Sequence, residues 1–392
     1  MLVPKLRFKS EDGTDYPDWK EYALEHTLYE KKEYDTLSSG NPLLTSSRTG
    51  LMFQHEYRDT VSTSNQSTLF SVINKNECTY RHMSDDSIFH FNINTLCDKG
   101  LVSKEYPVFS TQNRFDLQFI VQHLNSSKKF LEFCRQQKKG GTRTRLYFKT
   151  LCNYKMFLPC LEEQQKIADF LSTVDEVIAQ SEAEVQNLEQ QKKAAMQKIF
   201  SQEVRFKRED GTEFSKWKEK ELKSVATILM GQSPRGNSVN EEQNGVPLVQ
   251  GKADILGYGI IPERCTTLPT KVSEPNDIIM TVRAPVGFVA KLGFSACIGR
   301  GVCAIKAKEI TDYIYYVLQY KESEWKYIEQ GSTFTAVNLD DVSSLTIPVP
   351  CLEEQQKIAE FLSSYDEAII YAKQELNKWK ELKKGLLQQM FV

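Results

Sequence analysis

Apolar residues recur at alternating four- and three-residue steps in two separate stretches of the chain. One runs through Val174, Ile178, Val185, Leu188, Ala195 and Ile199; the other runs through Tyr365, Ile369, Ala372, Leu376, Trp379, Leu386 and Met390. This spacing lays one apolar stripe along a helix and predicts a coiled-coil seam in each stretch. Just upstream, the string EEQQKIA predicts a short helix in both places. Thr173 with Glu176, and Ser364 with Glu367, fit capping boxes, so each short helix is expected to end before a longer one begins. The seams would then last about 27 residues, or roughly 40 Å.

The two stretches belong to a duplication. Pro159 to Leu171 reads PCLEEQQKIADFL and Pro350 to Leu362 reads PCLEEQQKIAEFL, differing only at Asp169 and Glu360. A second pair precedes them: RFKSEDGTDYPDWK from Arg7 to Lys20, and RFKREDGTEFSKWK from Arg205 to Lys218. The order is segment, variable insert, helix, repeated twice. The inserts, about residues 22–158 and 222–349, do not resemble each other closely, and each has the length of one domain. Both mix short β-rich runs, such as Val246 to Gln250, Asp277 to Val282 and Val302 to Lys306, with Gly, Pro and Asn punctuation and a following helical stretch.

The expected fold is therefore α+β, with two insert domains separated by a pair of long antiparallel coiled-coil helices in a pseudo-twofold internal repeat. The boundaries read as 1–158, 159–202, 203–349 and 350–392. Connectivity puts the inserts at opposite ends of the first helix. An antiparallel second helix would return its end at Val392 to the region of Arg7 to Lys20. Lys192 and Lys383 interrupt the two seams at equivalent positions. Two readings are open: a register-fixing polar contact, or lysines reaching past the seam to solvent.

Composition narrows the function classes. Hydrophobic residues make up 40% of the 392, charged residues 26%, and the formal net charge is −2, so no partner follows from net charge alone. The chain has no run of about eighteen or more apolar residues, and its start, MLVPKLRFKSEDG, has neither an h-region nor a cleavage-site pattern, which makes the cytoplasm the expected location. The nine cysteines never form Cys-x-x-Cys, and the five histidines (His26, His55, His82, His90, His123) lack zinc-ligand spacing, so no metal is expected.

Charge is concentrated locally instead. Insert one carries Lys128, Lys129, Arg135, Lys138, Lys139, Arg143, Arg145, Lys149 and Lys155, opposed nearby only by Glu132. That tract suits phosphate contacts. Within KKGGTRTRL, two glycines before Arg143 and Arg145 would let backbone approach a nucleic-acid groove while the arginines reach phosphate or guanine edges; an ordinary solvated loop is the alternative. Insert two spreads Arg235, Lys252, Arg264, Lys271, Arg283, Lys291 and Arg300 among glycines and amide side chains.

The repeats carry a resemblance. P-x-L-E-E-Q-x-K-I-A-x-F-L after each insert, MGQSPRG at Met230 to Gly236, GVPLVQGKADI at Gly245 to Ile255 and GST at Gly331 to Thr333 together resemble the specificity subunit of Type I restriction-modification systems, across essentially the whole chain. The resemblance implies two target-recognition domains, each reading half of a bipartite double-stranded DNA sequence. It also implies conserved helices that dock two modification subunits, which methylate adenine with S-adenosylmethionine, and an association with restriction subunits that cleave DNA using ATP and Mg. This chain would bind none of those cofactors. Insert one departs from the pattern: it runs through PLLTSSRTGLMFQHEY in place of an MGQSP-type lead-in and reads as a different subtype. Dissimilar inserts imply an asymmetric target, and seams of about 40 Å compare with the roughly 34–36 Å between groove faces one turn apart.

Candidate DNA-binding residues are Lys138, Lys139, Arg143, Arg145, Lys149, Gln232, Arg235, Lys252, Arg283, Arg300 and Thr333. Candidate coiled-coil and partner residues are Ile167, Phe170, Ile178, Val185, Leu188, Ile358, Phe361, Ile369, Leu376 and Trp379, with Glu182, Glu184 and Glu189 on a candidate docking face. Catalysis finds no support in the sequence. There is no methyltransferase cofactor motif, GQSPRGN at Gly231 to Asn237 lacks the lysine of a phosphate-binding loop, and Asp85-Asp86 and Asp340-Asp341 sit among turn residues. The competing reading is a coiled-coil adaptor whose inserts bind protein.

Overall fold

A computed structural model of the chain describes residues 4–57, 67–138, 140, 142–256, 259–260, 262–325 and 336–391. The chain divides into two compact units, residues 1–181 with 375–392, and residues 182–374.

In the first unit the two repeated strings are the halves of one interaction. Glu163, fully buried, accepts hydrogen bonds from Arg7 Nε (3.0 Å), Arg7 Nη2 (2.7 Å) and Trp19 Nε1 (3.2 Å). The second unit repeats this at Glu354 with Arg205 (3.2 and 2.8 Å) and Trp217 (2.9 Å). A carboxylate withdrawn from water needs such partners, which accounts for RFK…W and LEEQQ being duplicated together. Phe8 packs edge-on to Phe170 at 5.5 Å, and Phe206 to Phe361 at 5.6 Å. The strand after each tryptophan, Lys20–Ala23 or Lys218–Glu221, pairs antiparallel with Lys155–Leu158 or Thr346–Val349, so both ends of each insert meet in a two-stranded base.

Insert one builds a four-stranded sheet in the order Leu28–Lys31, Val108–Thr111, Cys78–Tyr80, Phe91–Ile93. A three-stranded sheet follows the order Lys99–Ser103, Phe70–Asn74, Tyr34–Asp35. Helices α1 (Leu117–Ser126) and α2 (Lys128–Gln136) begin at Asp116 and Ser127, whose side chains accept from Phe119 N and Phe130 N. The core holds Trp19, Tyr80, Phe91, Phe109 and Phe119 together with Ile167 and Leu171 from α3 (Leu161–Phe200). Insert two has a four-stranded sheet (Ala226–Met230, Val302–Ala307, Ile278–Thr281, Val289–Lys291) and a five-stranded one, with helix α4 (Thr311–Tyr320) on its core. The β-runs expected at Val246, Asp277 and Val302 are strands Val246–Val249, Ile278–Thr281 and Val302–Ala307.

Helices α3 and α5 (Leu352–Met390) are continuous, 40 and 39 residues long. The expected breaks at Thr173 and Ser364 do not occur. Their hydroxyls instead donate back into the helix, to Asp169 O (2.9 Å) and Phe361 O (2.7 Å), an alternative to capping open to any helical Ser or Thr. Each helix is therefore about 60 Å long rather than roughly 40 Å. In the second unit Glu189 pairs with Lys373 and Lys192 with Asp366, an antiparallel order. In the first, Lys383 bonds Asp175, and Leu6 N donates to Gln389 O at 3.0 Å, tying the end of α5 to the N-terminal segment. Val392 lies outside the described residues.

Lys192 does not reach solvent. It is 4% exposed, its Nζ lies 2.7 Å from Asp366 Oδ1 and 3.2 Å from Gln319 Oε1, and it faces the Tyr316 ring at 4.9 Å. Burial lowers its pKa, against the opposing pull of Asp366. Along the seam Val185 and Ile369 are buried, while Ile178, Leu188, Leu376 and Trp379 are partly so. Ile167 and Ile358 belong to the unit cores, and Phe170 and Phe361, about a third exposed, pack on Phe8 and Phe206 of the repeated RFK segments. No described helix is long and apolar enough to cross a membrane.

Candidate nucleic-acid interface

In the first unit the glycine-arginine loop is held by a short strand pair. Thr144–Arg145 pairs with Met83–Ser84, which sets Arg143 Nε 2.9 Å from Asp85 Oδ1, with both side chains exposed. Asp86 closes the same turn. It accepts from Ser84 Oγ (2.7 Å), Ile88 N (3.1 Å) and Arg48 Nη2 (2.6 Å), and its carboxyl is held down at about 2, chiefly by the Ser84 hydrogen bond. The paired acids thus steer two arginines. With Arg81 and the hairpin Leu44–Ser47/Gly50–Phe53, Arg48 borders a cleft of about 300 Å³ that also reaches His90. Burial, helped by Arg48, lowers the His90 pKa.

Arg145, Lys138 and Lys149 are exposed on the same insert, and Lys139 lies outside the described residues. Tyr147, 56% exposed, stacks on buried His82 at 5.5 Å. Nothing in the sequence marks Arg48 and Arg81 as site residues, because only strand pairing brings them to a tract that lies far away along the chain.

In the second unit the three glycine-bearing loops converge backbone to backbone. Gly231 N donates to Val302 O (3.0 Å), Gln232 N to Ile298 O (2.8 Å), Gly299 N to Val249 O (2.8 Å) and Val282 N to Gly301 O (3.0 Å). A Cβ at Gly231 would meet Gly299 O at 2.2 Å, and one at Gly301 would meet Gln250 O at 2.1 Å, so only glycine permits this approach. The result gathers Gln232, Arg300 and Arg283, all exposed, at one loop cluster. Ser233 supports it by accepting from Arg300 N at 3.2 Å.

Arg235 is exposed at the start of the turn Gly236–Ser238. Lys252 is turned inward: its Nζ lies 3.5 Å from the Phe288 ring centroid and donates to Ile255 O at 3.2 Å, because a desolvated ammonium is drawn to an aromatic face. Thr333 lies outside the described residues. The acids Asp340 and Asp341 form the first turn of a helix at Leu339–Ser343 capped by Asn338. Among the described residues no three His, Cys, Asp or Glu side chains group to hold a metal ion.

The fold is thus a duplicated frame carrying two dissimilar inserts, each with arginines on exposed loops. The profile of the Type I restriction modification DNA specificity domain matches residues 91–190 and 214–381, and the chain belongs to that family. It is 34% identical over 330 residues to the MjaX specificity subunit of a type I restriction enzyme from Methanocaldococcus jannaschii, covering 79% of this chain and 78% of that one. The MjaVIII specificity subunit of the same organism is 27% identical over 74% of this chain and 73% of its own. In fold, the chain is similar to a crystal structure of a type I restriction-modification S subunit from M. genitalium, with TM-score 0.64 and 17% identity over 100% and 99% of the two chains. A chain from a structural study of complex assembly in a type I system gives TM-score 0.58 at 21% identity, covering 96% and 98%. As a type I specificity subunit, the protein is the non-catalytic component of its system.

Proposed function

We propose that this chain reads a bipartite, asymmetric double-stranded DNA target, one half-site per insert, and directs methyltransferase and restriction subunits to it. The observation that carries this reading is the pairing of two near-identical docking frames, Arg7–Glu163–Trp19 and Arg205–Glu354–Trp217, with inserts of unlike architecture. Equal frames suit two copies of one partner, and unlike inserts suit unlike half-sites. Arg143, Arg145, Lys138, Lys139 and Lys149 serve the first half-site. Gln232, Arg235, Arg283, Arg300 and Thr333 serve the second, and Lys252 joins them only by leaving Phe288.

The partners are two modification subunits, which use S-adenosylmethionine, and restriction subunits, which use ATP and Mg; the cytoplasm is where they would meet DNA. The outward faces of α3 and α5, with Glu182 and Glu184, present the docking surface. Single-molecule methylation mapping in cells carrying this chain and its modification partner tests the reading. A split, asymmetric adenine-methylated motif should vanish on deletion, and exchanging residues 22–158 should change one half-site only. Unchanged methylation on deletion would favour the adaptor reading.

A further inference from the structure

The short strand pair that holds the arginine loop of the first insert is a ribbon with two unlike faces. Thr144 lies opposite Ser84 and Arg145 opposite Met83, and Leu146 N donates to His82 O at 2.8 Å, so the pairing continues one residue further. Directly opposed residues of an antiparallel pair share a face, and successive residues alternate between faces. Burial follows that alternation: His82, Ser84, Thr144 and Leu146 are buried, whereas Arg81, Asp85, Arg143 and Arg145 are exposed and Met83 is partly so. Hydrogen bonds fix the buried face. Ser87 Oγ and Thr144 Oγ1 lie 2.7 Å apart, and Tyr80 Oη donates to Leu146 O at 3.0 Å. The outward face is therefore presented by a braced ribbon and not by a free loop.

The chemistry of that face is mixed. At one end Asp85 accepts from Arg143 Nε at 2.9 Å; Arg145 stands beside Met83 in the middle, and Arg81 is at the other end. Among the described residues neither the Arg81 nor the Arg145 guanidinium meets a hydrogen-bond acceptor or an acid. A surface built for phosphates would be weakened by an exposed carboxylate and would gain nothing from a thioether. Base edges in the major groove ask for this mixture: guanidinium forks for guanine O6 and N7, a carboxylate for cytosine N4, and an apolar group for the thymine methyl. The dimensions agree as well. The major groove admits a two-stranded ribbon, and outward residues on one strand recur about every 7 Å, close to two base-pair steps of about 3.4 Å.

We infer that this outward face enters the major groove of the first half-site, with Arg81 and Arg145 each specifying a guanine. The inference rests on the DNA-reading proposal above and deepens it, adding Arg81 to the residues that specify bases and assigning two G·C pairs to that half-site. Arg81 is diagonal to Arg145 across the ribbon, a separation of about 7–8 Å, so the two guanines stand within about three base steps of one another. Asp85 is a positioning residue, because it aims Arg143 through their ion pair.

The test uses the full chain with its modification subunits. The half-site that changes when residues 22–158 are exchanged should contain at least two G·C pairs. Replacing its guanines one at a time by 7-deazaguanine removes the N7 acceptor and keeps the base pairing. At two of them binding should weaken about fivefold or more. Arg81→Gln and Arg145→Gln should each abolish that loss at one guanine and relax methylation there toward adenine, whose N6 and N7 suit an amide, with the second half-site unchanged. A half-site without G·C pairs, or 7-deazaguanine without effect on the unsubstituted complex, overturns the assignment whatever the variants do. A variant that keeps the full motif, or that weakens binding to every duplex alike, overturns it too, the latter outcome marking a phosphate contact. If the unsubstituted complex methylates no split motif, the underlying DNA-reading proposal itself fails.

Discussion

Replacing Glu163 by Ala should loosen the first insert at its base more than the matching change at Glu354 loosens the second. Glu163 is fully buried and receives three hydrogen bonds; Arg7 is 18% exposed and also donates to Tyr16 O (3.1 Å) and Pro17 O (2.8 Å). Breaking a buried pair by removing one partner costs about 3–5 kcal/mol. The exposure of Arg7 and its two carbonyl acceptors place this case at about 3 kcal/mol. An unpaired indole N–H at Trp19, 7% exposed, adds about 1 kcal/mol.

At Glu354 the cation is more exposed, 23%, and Trp217 is only partly buried, so about 2–3 kcal/mol follows. Hydrogen exchange read by mass spectrometry on the full chain distinguishes the sites. In Glu163→Ala the amides of Lys20–Ala23 and Lys155–Leu158 should exchange about a thousandfold faster, at 1.4 kcal/mol per decade, with Lys218–Glu221 little changed. Acceleration below tenfold, or equal acceleration of both strand pairs, would refute the view that each buried carboxylate is the local clamp of its own insert.

Two further outcomes follow from the same structure. Burial depresses His123 to about 3, and its Nε2 meets Tyr154 Oη at 3.1 Å. The unfolded chain therefore binds a proton that the folded chain refuses: stability is full above the ordinary value of about 6.5 and falls by up to about 1.4 kcal/mol per pH unit below it. Denaturation midpoints measured from pH 7 to 5 should drop in the parent and flatten in His123→Phe; parallel curves would contradict this. Gly301→Ala drives a methyl into Gln250 O and should disturb the Gln232–Arg300–Arg283 cluster, altering only the second half-site in methylation mapping. An unaltered motif would separate that cluster from base reading.

Much of the architecture was legible in the chain alone. Exact duplication of PCLEEQQKIA and RFK…DG fixes a two-part frame, because identical strings fold identically, and the heptad-like spacing from Val174 and from Tyr365 dictates long helices that must bury one stripe. Local patterns also announced the strands of insert two, whose runs are β-rich and bounded by turn residues.

What remained was decided by contacts between distant residues. Whether Thr173 caps a helix or bonds back into one depended on the packing of Ile167, Leu171 and Val174 across that point, which local propensity does not register. That RFK…W exists to hold Glu163, that Arg48 and Arg81 join the arginine loop, and that Lys252 turns onto Phe288 are consequences of strand pairing and desolvation. A charge in the sequence is only a candidate; its neighbours in the fold determine whether it is satisfied inside the protein or presented to a partner.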